Sequence, residues 1–405
     1  MGCKHSKTIQ TYPGANINTV LRTSNSAINT KHNNDLNVAD KIKQTRKART
    51  KSGKSTKYDS KITAKYEIKA LLGKGQFTKV VRVQNRLSKK PFALKVLEKA
   101  EGLETLECEI SVLRRVRHPQ IIKLIEVFVV EQKRKSVTSG VVLELMTGGD
   151  IFDRLFDTGT YCERDAVKVL KQVLEGVEYL HAIGITHRDI KPNNVLYYQP
   201  GKESRVVITD FGMAHIRRSA SDVLMNEVCG TPEYLAPEVV SRQQYTQAVD
   251  VWAVGVMAFI ILRGDFPFSL TDRLALFRAI ARADYSLDDQ VWETKSEECR
   301  QFVRSLLSRD GGTRPTATEA LQHTWLLTRH PSQHKCRAQG ERSWSSSSSG
   351  SSVHSLQQLR SSSAGRRLLD PSQKHDPVST YYQCPASAHH GSKHRRSRRH
   401  LHSVS

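Results

Sequence analysis

The chain has 405 residues, a formal net charge of +23, 38% hydrophobic residues and a mean hydropathy of −0.49. The length suits one large domain with tails, and the low hydropathy indicates that part of the chain stays outside any packed core. Residues 1–61 and 328–405 each carry 13 Lys and Arg against 3 Asp and Glu, so the basicity belongs to the ends. We expect no membrane span, no secretory signal and no disulfides, because apolar runs are short and the seven cysteines are scattered.

The first residues read M-G-C-K-H-S, which predicts myristoylation of Gly2 and places Cys3 for palmitoylation. One myristoyl chain binds membranes weakly, so tethering needs a second signal, which Cys3 or the basic run of residues 41–57 can supply. The alternatives are a chance Gly-Cys start and a basic run that is a solvated charge block or a nuclear-import patch. We therefore predict a disordered, lipidated segment over residues 1–61. It would place the protein on the cytoplasmic face of the plasma membrane or Golgi and would allow a nuclear pool beside it.

The next stretch predicts a strand, a glycine-rich turn and a second strand. Residues 66–72 and 80–84 are β-branched or aromatic runs, and L-G-K-G-Q-F-T lies between them. Glycines let the backbone approach phosphates and donate N–H groups to them. Thr78 replaces the third glycine of G-x-G-x-x-G, so we expect a stiffer turn that still binds nucleotide. Residues 106–116 have a helical period, residues 121–130 and 140–145 predict strands, and the basic link of residues 131–139 predicts an exposed loop.

Three further motifs follow in order: I-T-H-R-D-I-K-P-N-N-V-L at residues 185–196, D-F-G at 210–212 and A-P-E at 236–238. Together with the glycine-rich turn and F-A-L-K at residues 92–95, they closely resemble the eukaryotic protein kinases over about residues 66–325. Lys191 and G-T-P-E-Y-L-A-P-E resemble the serine/threonine branch. The calcium/calmodulin-dependent kinase group is resembled by three motifs: T-A-K-Y-E-I-K-A-L, R-V-R-H-P and H-T-W. Within that group, the chain resembles the protein serine kinase H family in M-G-C, G-I-T-H-R-D and L-Y-Y-Q-P-G.

The resemblance implies an α+β, two-lobed kinase fold over residues 62–327. An antiparallel-sheet lobe with one main helix would span about residues 66–145, and a mostly helical lobe about 148–327. ATP and Mg²⁺ would be the cofactors and protein hydroxyls the acceptors. Asp189 would accept the hydroxyl proton, Lys191 would steady the γ-phosphate and Lys95 would grip the α- and β-phosphates. Asn194 and Asp210 would hold Mg²⁺ through oxygen ligands.

The resemblance also implies a nucleotide-binding set. Glu107 and Glu109 could each pair with Lys95, and we favour Glu109 because Leu113 then lies one turn later on the same face. Residues 144–150 resemble the adenine-binding hinge, with Leu143 as gatekeeper. The full set is Leu72, Gly73, Lys74, Gly75, Gln76, Phe77, Thr78, Lys79, Val80, Ala93, Lys95, Glu109, Glu144, Met146 and Leu196.

Two positions besides Thr78 depart from the family pattern. Asn193 replaces the glutamate of K-P-E-N, which helps many relatives select arginine upstream of the target hydroxyl, although Asp150 could still meet one arginine. Glu227 occupies the position of an activating phosphothreonine, whose phosphate pairs with the H-R-D arginine, here Arg188. We hypothesise that Glu227 supplies a permanent negative charge, the alternative being a solvated Glu227 and a poorly paired Arg188. Thr231 would bridge to the catalytic residues.

Other residues are expected to be structural. Residues 249–262 predict a buried central helix headed by Asp250, which would brace the catalytic-loop backbone. Arg314 would pair with Glu238, and His187 and Phe211 would pack in the core. Helices are also predicted over residues 164–180, 300–307 and 317–327.

Residues 328–405 predict a disordered Ser/Arg-rich tail with phosphorylation sites. Its basic cluster could bind acidic lipid, nucleic acid or an import receptor, and residues 356–369 weakly suggest calmodulin or another calcium sensor. We expect no specific nucleic-acid binding. The favoured interpretation is an active, membrane-tethered serine/threonine kinase. The alternatives are a pseudokinase scaffold, against which the intact catalytic and metal-binding positions argue, and a nuclear splicing-associated kinase, which rests on the tail alone.

Overall fold

The computed structural model describes residues 58–132, 135–219 and 221–328. The chain divides into a unit of residues 1–57 and a unit of residues 58–405, and every described residue belongs to the second unit. The predicted lipidation sites Gly2 and Cys3, the basic run and the tail beyond Thr328 lie outside the described residues.

The amino-terminal lobe is a five-stranded antiparallel sheet in the order β1-β2-β3-β5-β4, with one long helix against its inner face. Its elements are α1 (Ser60–Lys65), β1 (Tyr66–Lys74), β2 (Thr78–Asn85), β3 (Pro91–Leu97), α2 (Leu103–Leu113), β4 (Leu124–Gln132) and β5 (Lys135–Leu143). The exposed loop predicted for residues 131–139 is wrong, because backbone pairing continues to Gln132↔Lys135. Edge strands tolerate charged residues, so the basic composition of this link did not exclude strand structure.

Alternating side chains divide this sheet between two hydrophobic clusters. Residues directly opposite in a ladder share a face, and Val80 pairs with Lys95 while Lys79 pairs with Val96. Val80 packs against the large cluster that continues into the second lobe. The outer face buries a separate cluster of Ile62, Tyr66, Val81, Val83, Leu94, Phe128 and Val142. The inner face therefore borders the cleft, and the outer face is covered by α1.

The carboxy-terminal lobe is mostly helical. Its elements are α3 (Ile151–Thr158), α4 (Glu163–Ala182), β6 (Ile185–Thr186), β7 (Val195–Tyr197), β8 (Val206–Ile208), β9 (His215–Ile216), α5 (Pro237–Val240), α6 (Ala248–Arg263), α7 (Arg273–Arg282), α8 (Gln290–Glu293), α9 (Glu297–Leu306), α10 (Ala317–Leu321) and α11 (Thr324–Leu327). The single helix predicted over residues 317–327 is two short helices, since His323 caps the second one. The predicted α+β, two-lobed organisation is confirmed.

Helix α6 is the buried axis of this lobe. Every residue from Val249 to Leu262 is buried, as the unbroken apolar run predicts, and the helix ends at Gly264 in the left-handed conformation. At 16 residues it is shorter than a membrane span, and none of the helices in the described part of the chain is long and apolar enough to be one. Its amino-terminal end points into the loop between β6 and β7, where the polar motif residues lie.

Candidate active site

Asp250, in the first turn of α6, holds the loop of residues 187–194 in place through hydrogen bonds to its backbone. Asp250 accepts the backbone N–H groups of His187 and Arg188, each at 2.8 Å, and lies 2.9 Å from His181 Nε2. Burial acts to raise the pKa of the Asp250 carboxyl, but His181, His187 and the backbone outweigh it and lower that pKa. The predicted bracing by Asp250 is present, and the contribution of His181 was not predicted. The loop can therefore keep Arg188 at its positive φ of 66°.

The Asp189 carboxylate is fixed by four hydrogen bonds. Lys191 Nζ and Asn194 Nδ2 donate to Oδ2 at 2.7 and 3.0 Å, while the Thr231 hydroxyl and N–H donate to Oδ1 at 2.7 and 3.1 Å. Lys191 Nζ also donates to Thr231 Oγ1 at 2.6 Å, so Thr231 bridges the pair as expected. Charge-assisted bonds of this kind hold an ionised carboxylate in one orientation. The arrangement presents a base of defined position at the cleft.

Lys95, Glu109 and Asp210 form a second charged cluster, which connects the two lobes across the cleft. Lys95 Nζ lies 2.6 Å from Glu109 Oε2 and 3.0 Å from Asp210 Oδ1, so the predicted pairing with Glu109 is present. Glu107 is exposed, whereas Glu109 is buried. Burial alone would lower the pKa of Lys95, but the Asp210 and Glu109 carboxylates outweigh it and raise that pKa. In return, Lys95 lowers the pKa of Asp210 to about 2, so the carboxylate is ionised at neutral pH.

Asp210 and Asn194 offer hard oxygen atoms to a cation. Both side-chain hydrogen bonds of Asn194 use Nδ2, which leaves Oδ1 as its ligating atom. In the described part of the chain, no group of three or more His, Cys, Asp or Glu could hold a metal by itself. This sparse set fits Mg²⁺, which usually takes one or two protein oxygens and completes its shell with water and substrate phosphate.

The glycine-rich turn between β1 and β2 closes through a 2.7 Å bond from Gly75 N–H to the Thr78 carbonyl. A Cβ added at Gly73 would meet nothing within 4 Å, so the strand entering the turn leaves open space beside it. Leu72 is half exposed, and Val80 and Ala93 pack on the cleft face. Lys79 is an exception in the predicted nucleotide set. Its side chain lies on the outer face of the sheet, because strand residues alternate and Val80 takes the inner face.

The hinge after β5 keeps part of its backbone available. Glu144 N–H donates to the Lys123 carbonyl at 3.1 Å, and Thr147 N–H donates to the Tyr198 carbonyl at 3.1 Å. Within the described residues, backbone–backbone hydrogen bonds use neither the Glu144 carbonyl nor the Met146 N–H. Leu143 is buried behind the hinge at 5% exposure. The Glu144 carbonyl and the Met146 N–H lie just beyond the end of β5, whose last residue Leu143 pairs with Ala93, and they suit the edge of a planar base.

The activation segment is tied to Arg188. Arg188 donates to Glu227 Oε2 at 3.0 Å, to the Met213 carbonyl at 2.7 Å and to the Tyr245 hydroxyl at 3.3 Å. The Tyr245 hydroxyl in turn donates to the Glu227 carbonyl at 2.6 Å. The predicted contact between Glu227 and Arg188 is present. Met213 and Tyr245 were not predicted, and nothing in their local sequence marks them.

Asn193 and Asp150 lie together beside the catalytic loop. Asn193 Nδ2 donates to Asp150 Oδ2 at 3.1 Å, and Asp150 Oδ1 accepts the Asp153 N–H at 2.7 Å as the cap of α3. Burial raises the pKa of the Asp150 carboxyl, although these hydrogen bonds oppose the effect. Both carboxylate oxygens of Asp150 are therefore already used within the chain.

The expected structural residues lie where the sequence places them. His187 and Phe211 are fully buried, with ring centroids 4.8 Å apart. Arg314 forms two bonds to Glu238, at 2.9 and 3.1 Å, and its side chain is fully buried. These groups support the site without facing the cleft.

This fold and site are those of a protein kinase. The protein kinase domain model matches residues 66–326, and the chain belongs to this family.

Within the family, the chain is similar to Serine/threonine-protein kinase H1 of Homo sapiens, at 49% identity over 274 residues, which are 67% of this chain and 63% of that protein. It is 46% identical over 274 residues to Serine/threonine-protein kinase H2 of Homo sapiens, covering 67% and 70% of the two chains. It is 40% identical over 283 residues to Calcium/calmodulin-dependent protein kinase type 1 of Macrobrachium nipponense, covering 68% and 80%. The predicted resemblance to the kinase H family is confirmed. The match spans less than two thirds of the length of the H1 protein.

Proposed function

We propose that the protein is a serine/threonine protein kinase that transfers the γ-phosphate of Mg²⁺·ATP to protein hydroxyls. The observation that carries the proposal is the Asp189 carboxylate, which is held by Lys191, Asn194 and Thr231 on the same cleft as Lys95. Phosphoryl transfer depends mainly on positioning and charge stabilisation, and these are what the five side chains can supply. The names of the H1 and H2 relatives describe serine/threonine kinases and support this assignment.

In the proposed reaction, a serine or threonine hydroxyl oxygen forms a bond to the γ-phosphorus while the bond to the ADP oxygen breaks. Asp189 takes the hydroxyl proton, for which its Oδ atoms are positioned by donors on both sides. Lys191 lies 2.7 Å from Asp189 and can stabilise the transferring phosphate. Lys95 is oriented by Glu109 to meet the α- and β-phosphates, so each side chain has a separate task.

Asp210 and Asn194 are the residues that would hold Mg²⁺. When bound, the ion neutralises charge on the phosphates. Because Lys95 keeps the pKa of Asp210 near 2, protonation does not compete with metal binding at neutral pH. We expect that chelation of Mg²⁺ abolishes transfer and that Asp210→Asn requires a higher Mg²⁺ concentration for half-maximal rate.

The test is transfer of labelled phosphate from ATP to a degenerate Ser/Thr peptide library by the full chain. Wild type is compared with Asp189→Asn, which keeps size and removes the base. Activity that disappears in the variant supports the proposal, and the library reports the sequence preference. Binding of ATP without transfer by wild type would refute it and assign the chain to the pseudokinase scaffolds.

For the location, we propose tethering to the cytoplasmic face of the plasma membrane or Golgi through Gly2, Cys3 and the basic run of residues 41–57. The support is the sequence motif, and the test is fractionation of wild type against Gly2→Ala and Cys3→Ser. Release of Gly2→Ala into the soluble fraction is expected, and the behaviour of Cys3→Ser shows whether Cys3 or the basic run supplies the second signal. A nuclear pool of wild type that does not depend on Gly2 would overturn the tethering proposal and favour the import alternative.

Protein substrates follow from the proposed activity, and a calcium sensor is a further proposed partner. The name of the Macrobrachium nipponense relative describes calcium/calmodulin dependence, and residues 356–369 have a basic amphipathic pattern. Stimulation of phosphotransfer by calcium-loaded calmodulin, lost after replacement of the arginines at 360, 366 and 367, would support this partner. An unchanged rate with calmodulin would exclude it as an activator.

A further inference from the structure

The residues just before the family match form part of the amino-terminal lobe. Helix α1 is capped by Asp59 and buries Ile62 completely in the outer cluster with Leu94 and Val142. Arg86, directly after β2, donates to the Thr63 carbonyl at 2.9 Å. Residues 58–65 therefore lie fixed on the outer face of the sheet, although the family model begins only at residue 66.

This segment covers Lys79. The Lys79 side chain is only 6% exposed, and its ammonium lies 4.3 Å from the centre of the Tyr58 ring and 3.5 Å from Glu98 Oε1. A buried ammonium is costly unless it is paired, and an aromatic face is one of the few apolar surfaces that attracts a cation. Tyr58 and Glu98 thus hold Lys79 from two sides.

Lys74 and Lys79 are the last residue of β1 and the second residue of β2, and they flank the glycine-rich turn from its two sides. The two lysines pair directly across β1 and β2, where like charges would repel each other. Glu98 lies between them, with Oε2 3.6 Å from Lys74 and Oε1 3.5 Å from Lys79. Its backbone N–H also donates to the carbonyl of Phe77 in the turn itself, at 2.8 Å. Glu98 is therefore the anchor of the hairpin, and it serves both lysines.

We propose that Tyr58 is a positioning residue for nucleotide binding, acting through Lys79 and Glu98 on the glycine-rich turn. With the ring in place, Lys79 is held on the outer face, and Glu98 can remain between the two lysines. Without the ring, Lys79 is hydrated and no longer held against Glu98, so Glu98 anchors the hairpin less firmly and the turn spends less time closed over the phosphates. The ligand concerned is the nucleoside triphosphate, so this inference rests on the proposed kinase function.

The test compares Tyr58→Leu with Tyr58→Phe in the full chain. Phe retains the aromatic face, whereas Leu retains apolar volume only. The dissociation constant for the Mg²⁺ complex of adenylyl imidodiphosphate, the KM for ATP, kcat and amide exchange over residues 74–79 are measured. We expect Tyr58→Leu to weaken nucleotide binding about threefold, with a matching rise in KM, faster exchange in the turn and an unchanged kcat. Tyr58→Phe should behave as wild type.

Ile62→Val is the matched control, because it loosens helix α1, which begins two residues after Tyr58, without touching Lys79. It should lower the melting temperature while leaving nucleotide affinity unchanged. In a Lys79→Met background, Tyr58→Leu should have no further effect on affinity. The role of Tyr58 is overturned if Tyr58→Leu binds nucleotide as tightly as wild type. It is also overturned if Ile62→Val loses as much nucleotide affinity as Tyr58→Leu at the same loss of melting temperature. Either result leaves the proposed kinase function untouched. If wild type binds no nucleotide, the proposed kinase function fails. Amide exchange over residues 74–79 then shows separately whether Tyr58 orders the glycine-rich turn.

Discussion

Replacing Glu227 by glutamine tests whether a fixed carboxylate takes the place of an activating phosphate. The Glu227 side chain is 44% exposed, whereas that of its partner Arg188 is 7% exposed. A half-exposed ion pair contributes about 1 kcal/mol after screening by solvent. The larger cost of about 3–5 kcal/mol for leaving a buried charge without any partner does not apply to Arg188. Arg188 keeps its bonds to the Met213 carbonyl and to the Tyr245 hydroxyl.

We therefore expect Glu227→Gln to reduce kcat/KM about fivefold, which is what ~1 kcal/mol represents. The reduction arises because Arg188 directly precedes Asp189, and Glu227 fixes the activation segment relative to both. Rates are measured at saturating Mg²⁺ with the best library peptide. Since salt screens an exposed pair, raising ionic strength should slow wild type toward the variant and leave the variant almost unchanged.

The matched control is Glu297→Gln, which removes a comparably exposed glutamate paired with Arg300 far from the cleft. It should leave the rate unchanged. Glu227→Thr should resemble Glu227→Gln until an added kinase phosphorylates the new threonine, after which the rate should recover. A full rate for Glu227→Gln, with the salt dependence of wild type, would show that the carboxylate has no part in the active arrangement.

Three further changes probe the support around the site. Asp250→Asn should lower the free energy of unfolding by about 2–4 kcal/mol in denaturant titrations, because a buried, fully bonded carboxylate is lost. Since the folded pKa of Asp250 lies below its ordinary value, its contribution is complete above about pH 4 and decreases at lower pH, so the two stability curves should converge there; parallel curves would contradict this. Arg314→Met should lower the free energy of unfolding by about 3–5 kcal/mol, because the largely buried Glu238 loses its partner. Adding Glu238→Gln should restore part of this loss, and an unchanged melting curve for Arg314→Met would refute a structural role for the ion pair. Asn193→Glu should increase the preference for upstream arginine about threefold to tenfold in the peptide library, because a second carboxylate joins Asp150; an unaltered preference would show that this pair does not contact substrate.

The residues of the catalytic loop could be predicted because their chemistry is compressed into one short motif. Asp189, Lys191 and Asn194 lie within six residues, so their spacing alone places them together. Tyr245 contacts Arg188 from 57 positions away, and His181 contacts Asp250 from 69. A tyrosine in a loop and a histidine near the end of a helix carry no mark of such a contact, so only the fold reveals it.

Two differences from the sequence expectations have simpler causes. The strands β4 and β5 continue through the basic link because backbone pairing needs no apolar side chain. The resemblance to kinases places Lys79, next to the glycine-rich turn, among the nucleotide-binding residues. The period of two along β2 already puts it on the face of Val81 and Val83, opposite to Val80. The signal for Lys79 was present in the sequence, whereas its partner Tyr58 lies before the family match and could be found only in the structure.

The described arrangement combines features that phosphorylation or ligand binding often has to assemble in kinases. Lys95 contacts Glu109 and Asp210 together, which requires both lobes to be in register. Arg188 is paired with a genetically encoded carboxylate rather than with a phosphate. If Glu227 maintains this pairing, the activation segment needs no modification to support phosphotransfer. The proposed membrane tether would then limit which protein hydroxyls meet Asp189.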